Sequence, residues 1–448
     1  MSAEPDLPGR TSVELFAGGG GLAMAVERSG FRPLLLNEFV KYACDTLEQN
    51  GATSRGEEER IPEPGEKPPL VRGDVRDLKM GYLEGAVDLL AGGPPCQPFS
   101  LGGVAKGDED KRNMFPEMFR AIREIKPKAF ICENVRGLLR PSFKPYFDYI
   151  TRELMFPFEE RDPEASWLQH NAILEAKEQR GDVKSVERYQ VFTFPVNAAD
   201  YGVPQIRNRI IVVGFRGDLD IDVELLRQAV SPTHSEKELL LSMKSGEYWD
   251  RHRNVRGRAD VPDHVIGNVM GALQPVLPLE RTSEELKPWR TLRDALADDL
   301  GAGPLPDVPW NRLDRRQYDD MPKEHIGWPD ARFYAGHTPN FLDRPAKTVK
   351  AGVHGVPGGE SVMLTDTPVG KNQPVDPVAE KAGKTYPYQH RYMTVRETAR
   401  VMTFPDDWEL CGPRGEQMRQ LGNAVPVLLG EVFAKAVATV LDNAEKRS

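Results

Sequence analysis

Residues 12–30 read SVELFAGGGGLAMAVERSG, and this stretch decides the fold. The apolar run 12–16 breaks into four consecutive glycines, Gly18 to Gly21. LAMAVERSG (22–30) then has the composition of a helix, with Gly30 as its stop. A strand that turns through glycines into a helix opens a doubly wound α/β domain. Further stretches extend the pattern. PLLLNE (33–38), VDLLAGG (87–93) and KAFICEN (128–134) read as buried strands. FPEMFRAIREIKP (115–127) has helical spacing and stops at Lys126-Pro127, and RIIVVGF (209–215) places four β-branched residues in a row. Apolar runs of this kind, joined by helices, indicate a parallel sheet. Ligands are then expected beyond the carboxyl ends of the strands.

Outside this core the chain changes character. Residues 51–69 and 352–385 are charged or rich in Gly and Pro and read as surface loops, and 157–190 reads as a polar, partly helical insertion. Between 216 and 340 the long apolar strands stop, and arginines cluster at 251, 253, 256 and 258 and at 312, 315 and 316. That region is a candidate second domain, although clustered charges are also what a solvated surface carries. The α/β pattern returns near 393, where YMTVRETARVMTFP and VLLGEVFAKAVATVLDNA read as helices, the second led in by Pro426.

Composition narrows the class. With 59 Lys and Arg against 68 Asp and Glu, the net charge is −9, so the chain is not a generally basic nucleic-acid binder. A local positive face is still compatible with that total. Hydrophobic residues at 39% and charged residues at 28% are ordinary for a globular protein. No apolar run reads as long enough to cross a bilayer, and the acidic, Pro-containing start is unlike a signal peptide. Cys44, Cys96, Cys132 and Cys411 form no CxxC pair and there is no HExxH, so neither a metal site nor a disulfide framework is expected. A reduced, cytoplasmic protein is the default.

Four constellations carry chemistry. In ELFAGGGGLA (14–23), Gly18 and Gly20 let the backbone approach a ligand, and Glu38 closes the next strand where a carboxylate can accept ribose hydroxyls. A dinucleotide dehydrogenase would share this pattern. Asp74 in GDVRDL is a further acidic candidate. In AGGPPCQPFS (91–100), prolines stiffen the loop around Cys96, which suits a nucleophile. A thiol protease would need a His–Asn or His–Asp pair, and none stands out. In ICENV (131–135), Glu133 ends a strand on the same sheet edge as Cys96 and can act as an acid. In QIRNR (205–209), Gln205, Arg207 and Arg209 alternate at strand period and share a face, as substrate ligands or as an ion-pair network.

Together these residues closely resemble the DNA (cytosine-5)-methyltransferases of bacterial restriction-modification systems. ELFAGGGG resembles the cofactor motif, with Glu14 where Asp is more usual, and Asn37-Glu38 the ribose pair. GPPCQPFS resembles the nucleophile loop, ENV the acid motif and QIRNR the target-base arginines. RPAKTV (344–349) and QLGNAVP (420–426) resemble the last two motifs. The resemblance implies Cys96 as nucleophile, Glu133 at the base N3, and Arg207 and Arg209 holding the cytosine. It implies an S-adenosylmethionine site lined by Phe16, Gly18, Gly20, Glu38, Phe39, Asp74, Pro94 and Asn423. The implied fold is α/β: a Rossmann-like methyltransferase domain over 1–215, completed by 393–448. A smaller domain covers 216–392, with target recognition in about 216–340. The implied substrate is cytosine in double-stranded DNA, flipped out and methylated by a cytoplasmic monomer. A cognate restriction endonuclease is implied as a partner in function.

Three other readings compete with this one. Amino-methyltransferases carry Pro-Pro-Tyr, -Phe or -Trp where this chain has Pro94-Pro95-Cys96. A tRNA cytosine methyltransferase of the same family is the main alternative, and the long 216–340 region favours DNA over it. A catalytically dead relative would have lost Cys96 or Glu133, and both are present.

Overall fold

A computed structural model of the chain describes residues 9–56, 58–95, 113–181, 184–253, 255, 260–273, 286–297, 301, 303–308, 312, 314, 316–328, 338–351, 361–369 and 388–447. The chain divides into two compact units. The first is Met1–Val196, Asn208–Ser231 and Gly430–Ser448, and the second is Asn197–Arg207 and Pro232–Leu429.

The first unit is built on an eight-stranded sheet. Its strands are β1 (Arg10–Leu15), β2 (Phe31–Glu38), β3 (Thr53–Arg55), β4 (Pro69–Arg72), β5 (Leu89–Gly92), β6 (Ala129–Val135), β7 (Tyr189–Asn197) and β8 (Asn208–Arg216), in the order β3-β4-β2-β1-β5-β6-β8-β7. β1 pairs in parallel with both β2 and β5, and β5 in parallel with β6. The strand order therefore runs outward both ways from β1. The crevice expected at such a reversal lies beyond Leu15 and Gly92.

The helices of this unit are α1 (Gly21–Arg28), α2 (Lys41–Gln49), α3 (Phe115–Ile125), α4 (Lys144–Met155), α5 (Trp167–Arg180) and α6 (Val223–Ala229). A single core joins Val13 and Leu15 of β1, Leu34 and Leu35 of β2, and Phe130 and Cys132 of β6 to Met118, Phe119 and Ile122 of α3 and Phe147 and Ile150 of α4. α3 ends as its sequence predicts, with Lys126 in the left-handed region before Pro127.

RIIVVGF departs from expectation. It forms the body of β8, which runs antiparallel to β6 with Glu133 opposite Ile211 and Val135 opposite Arg209. The sheet is mixed. Apolar content shows that a strand is buried on both faces but carries no direction. Residues 51–69 hold β3, a short edge strand paired with β4, and 352–385 includes the strand Val362–Pro368.

The second unit also differs from its expected bounds. The helix Val395–Val401 lies in it, packed on the helix Leu292–Ala297. Residues 393–429 therefore belong with the second unit, the short excursion 197–207 joins them, and the first unit continues to Ser231. Helix pattern predicts Val395–Val401 correctly, but periodicity does not say which core a helix completes. A buried pair closes this region: Arg391 donates to both carboxylate oxygens of Glu397 and holds that carboxyl down at about 2. Within Arg414–Arg447 one stretch does reach the length and apolar content of a membrane span, and 67% of it is buried inside the protein, as in a core helix.

β6 and β8 approach closely where Gly214 faces Phe130. A Cβ at Gly214 would lie 2.1 Å from the Phe130 ring, which is fully buried. Gly214→Ala should therefore destabilise the first unit by about 1–3 kcal/mol through overpacking. Thermal unfolding that leaves Tm unchanged would contradict this packing.

Candidate active site

The glycine turn is shaped by its neighbours. Phe16 takes a positive φ of 59°, uncommon for an aromatic residue, and Gly18 (55°) and Gly20 (90°) follow in the same region. Gly20 caps α1 with no side-chain hydrogen bond. Glu38 fixes the turn from β2: its Oε2 accepts the Gly18 amide at 2.7 Å, and its Oε1 accepts the amides of Phe39 and Val40 at 2.8 and 2.7 Å. Each carboxylate oxygen has two lone pairs, so Glu38 keeps capacity for a ligand hydroxyl. Phe39 beside it is 69% exposed, an aromatic face open to a planar group. Asn37 turns the other way and donates to the carbonyls of Val71 and Gly73, so it ties β2 to the end of β4. Asp74 accepts from the backbone and guanidinium of Arg76, which holds its carboxyl below the ordinary range.

Glu14 has an environment that sequence does not reveal. It is buried in β1, and its Oε2 has no hydrogen-bond partner among the described residues. Burial pushes its carboxyl well above the ordinary value, the charge of Glu38 adds to this, and the Ala23 amide works against it.

Across the sheet, the antiparallel register of β8 brings Arg209 and Glu133 onto one face as diagonal neighbours. Arg209 Nε lies 2.6 Å from Glu133 Oε1, and both side chains are largely buried. The end of β5 lies beside Glu133. A Cβ at Gly93 would lie 3.6 Å from Glu133 Oε2, and one at Gly92 would lie 3.0 Å from the Leu15 carbonyl. Asn134 donates to the Pro94 carbonyl at 2.9 Å, and the Met114 amide donates to that of Pro95 at 3.1 Å. The chain is therefore anchored where it leaves β5 for Cys96 and where it returns ahead of α3. Cys96 itself lies outside the described residues. This anchoring by Asn134 has a signal in the sequence: with Glu133 it forms the polar pair in an otherwise apolar strand.

The alternation is seen over 205–207, with Gln205 and Arg207 buried and Ile206 exposed, and it ends at Asn208 and Arg209, both half-buried. The common role expected for the two arginines does not follow from their contacts. Arg207, in the second unit, donates to the carbonyls of Val349, Gly422 and Ala424, each at 2.9 Å. Asn423 ends the helix Arg414–Asn423 of that unit and is exposed. Among the clustered arginines, Arg251 pairs with Asp294, Arg253 with Asp250, Arg312 with Asp320 and Arg316 with Asp314. Arg256, Arg258 and Arg315 lie outside the described residues.

The described residues therefore set a glycine turn on the Glu38 carboxylate and a Glu133–Arg209 pair beside the end of β5, just ahead of Cys96 in the chain. The model of the C-5 cytosine-specific DNA methylases matches residues 10–156 and 170–439. The chain belongs to this family. It is 32% identical to the type II methyltransferase M.PspPI of Psychrobacter sp. over all of this chain and 83% of that protein. Identity to the type II methyltransferase M.Eco47II of Escherichia coli is 31%, over 98% of this chain and 81% of that one. Among solved structures, the Dnmt2 methyltransferase of S. pombe matches with a TM-score of 0.51 at 14% identity, covering 97% of this chain and 99% of that one, a likeness of fold. The protein is a DNA (cytosine-5)-methyltransferase, and the family implies dependence on S-adenosylmethionine.

Glu38 braces the glycine turn and is the carboxylate expected to meet the ribose. Glu38→Ala should weaken binding of S-adenosylhomocysteine by about 1–3 kcal/mol, the range for hydrogen bonds to a charged group. Calorimetry showing wild-type affinity in the folded variant would remove Glu38 from the site.

Proposed function

We propose that this chain methylates carbon 5 of a flipped-out cytosine within a specific duplex sequence, through a covalent Cys96 adduct, as the modification enzyme of a restriction-modification system. The observation that carries the reading is the Glu133–Arg209 pair against the start of the Pro-Pro-Cys loop. The type II methyltransferases among its relatives support the restriction-modification setting, with a cognate endonuclease sharing the recognition sequence.

The residues of the first unit fit the cofactor. Gly18 and Gly20 allow close backbone approach, Glu38 would accept the ribose hydroxyls, Phe39 would face the adenine, and Phe16, Asp74 and Pro94 would complete the lining. Asn423 joins this set on the resemblance. When bound, S-adenosylmethionine supplies an electrophilic methyl group on a sulfonium sulfur.

Carbon 5 of cytosine is too weak a nucleophile to be methylated directly. Addition of the Cys96 thiolate to carbon 6 gives carbon 5 enamine character. The Glu133 carboxyl donates at N3 and so stabilises the electron pair that addition pushes into the ring. Arg209, held on Glu133, is the donor for O2. Once carbon 5 has bonded to a methyl group, loss of its proton and departure of the Cys96 thiolate restore the aromatic ring, and the N3 proton returns to Glu133. A stacked base cannot be reached by this geometry, so the cytosine must leave the duplex. Sequence reading is assigned to about 216–340, where side chains would contact base edges and phosphates.

Transfer of labelled methyl groups to duplex DNA and to tRNA, with bisulfite mapping of the product, tests the reading. It predicts 5-methylcytosine at one short duplex sequence and an unlabelled tRNA. Label on an exocyclic nitrogen or in tRNA alone would refute it. Glu133→Gln should lower kcat by about 10²–10⁴, the usual contribution of a positioned acid.

A further inference from the structure

Arg207 is among the largest fully buried side chains of the protein, at 1% exposure. Its Nη1 donates to the Val349 carbonyl and its Nη2 to those of Gly422 and Ala424. One guanidinium thus joins QIRNR to RPAKTV and QLGNAVP, segments 142 to 217 residues away. The neighbouring contacts repeat the same stitching. The Ile206 amide donates to the Ala346 carbonyl, the Thr348 hydroxyl donates to the Ile206 carbonyl, and Gln205 is bridged to Ala346.

The contacts at Gly422 and Ala424 bracket one residue, Asn423, whose side chain is exposed. Gly422 packs so tightly that a Cβ there would lie 2.3 Å from the Ala351 amide nitrogen. The backbone on either side of Asn423 is therefore held at two carbonyls by one charged group and from behind by close packing. Three charge-assisted bonds from a planar fork define an orientation that an ammonium could not reproduce.

We infer that Arg207 is a positioning residue that fixes Asn423 for cofactor binding, and that it does not hold the target cytosine. This rests on the reading of Asn423 as a cofactor residue. Arg207 and Arg209, two positions apart in one motif, then serve different ends of the reaction: Arg209 the base, Arg207 the cofactor.

The test is S-adenosylhomocysteine affinity by calorimetry, together with the separate KM values for S-adenosylmethionine and DNA. Asn423→Ala and Arg207→Ala should each weaken S-adenosylhomocysteine by about tenfold, a step of one decade in Kd. The double variant should be no weaker than either single one, because both act through the same contact. Arg209→Ala should keep the wild-type affinity. Arg207→Lys, which retains the charge but not the fork, should raise KM for S-adenosylmethionine while KM for DNA stays put, and it carries the test if Arg207→Ala fails to fold. Wild-type cofactor affinity in either Arg207 variant, with the loss falling on KM for DNA, would overturn the inference while leaving Asn423 in the site. Wild-type affinity in Asn423→Ala would remove Asn423 from the cofactor site and the inference with it.

Discussion

The direction of one strand governs the chemistry of the first unit. β8 runs antiparallel to β6, so its amino-terminal end, not its carboxyl end, lies at the sheet edge where β5 and β6 finish. Arg209 is therefore delivered to the edge that carries Glu133, and the two meet at 2.6 Å. A parallel β8 would have left Arg209 at the opposite edge. Removing either member would strand the other charge in a largely buried place, which is why such pairs are costly to break. The mixed sheet is thus the device that brings a strand-start arginine and a carboxyl near a strand end together on one face.

The chain just ahead of Cys96 is anchored through its backbone as well as by proline. Asn134 and the Met114 amide hold the Pro94 and Pro95 carbonyls, and Gly92 lies close enough to the Leu15 carbonyl and the Met118 sulfur that a Cβ there would be crowded. Positioning of this kind lowers the entropic cost of bringing nucleophile and base together. The same logic recurs on the cofactor side, where Glu38 takes three backbone amides and so sets both the glycine turn and the start of α2.

Much of this was legible in the sequence because it depends on local pattern. Apolar runs located β1, β2, β5, β6 and β8, the glycines located the turn into α1, and Lys126-Pro127 located the end of α3. The placement of Glu38 and Glu133 at or near strand ends also followed from position: Glu38 closes β2 and Glu133 lies two residues before the end of β6. What local pattern does not encode is partner choice. Strand direction in β8, the unit completed by Val395–Val401, and the carbonyls that Arg207 reaches 142 or more residues away are all settled by tertiary pairing. Glu14 belongs with these: its type was visible, but the burial that shifts its carboxyl comes from the elements packed around β1.

The central claim is that Cys96 becomes bonded to the cytosine ring. Duplex DNA with 5-fluorocytosine at the target position tests it most directly. After thiol addition at carbon 6 and methylation at carbon 5, no carbon-5 proton remains to be lost, and fluorine cannot leave as a cation. Elimination then stalls with the sulfur–carbon bond intact. In the presence of S-adenosylmethionine the account predicts a protein–DNA band that survives denaturing electrophoresis and is absent from Cys96→Ser. A Cys96→Ser protein that still methylates duplex cytosine would contradict it.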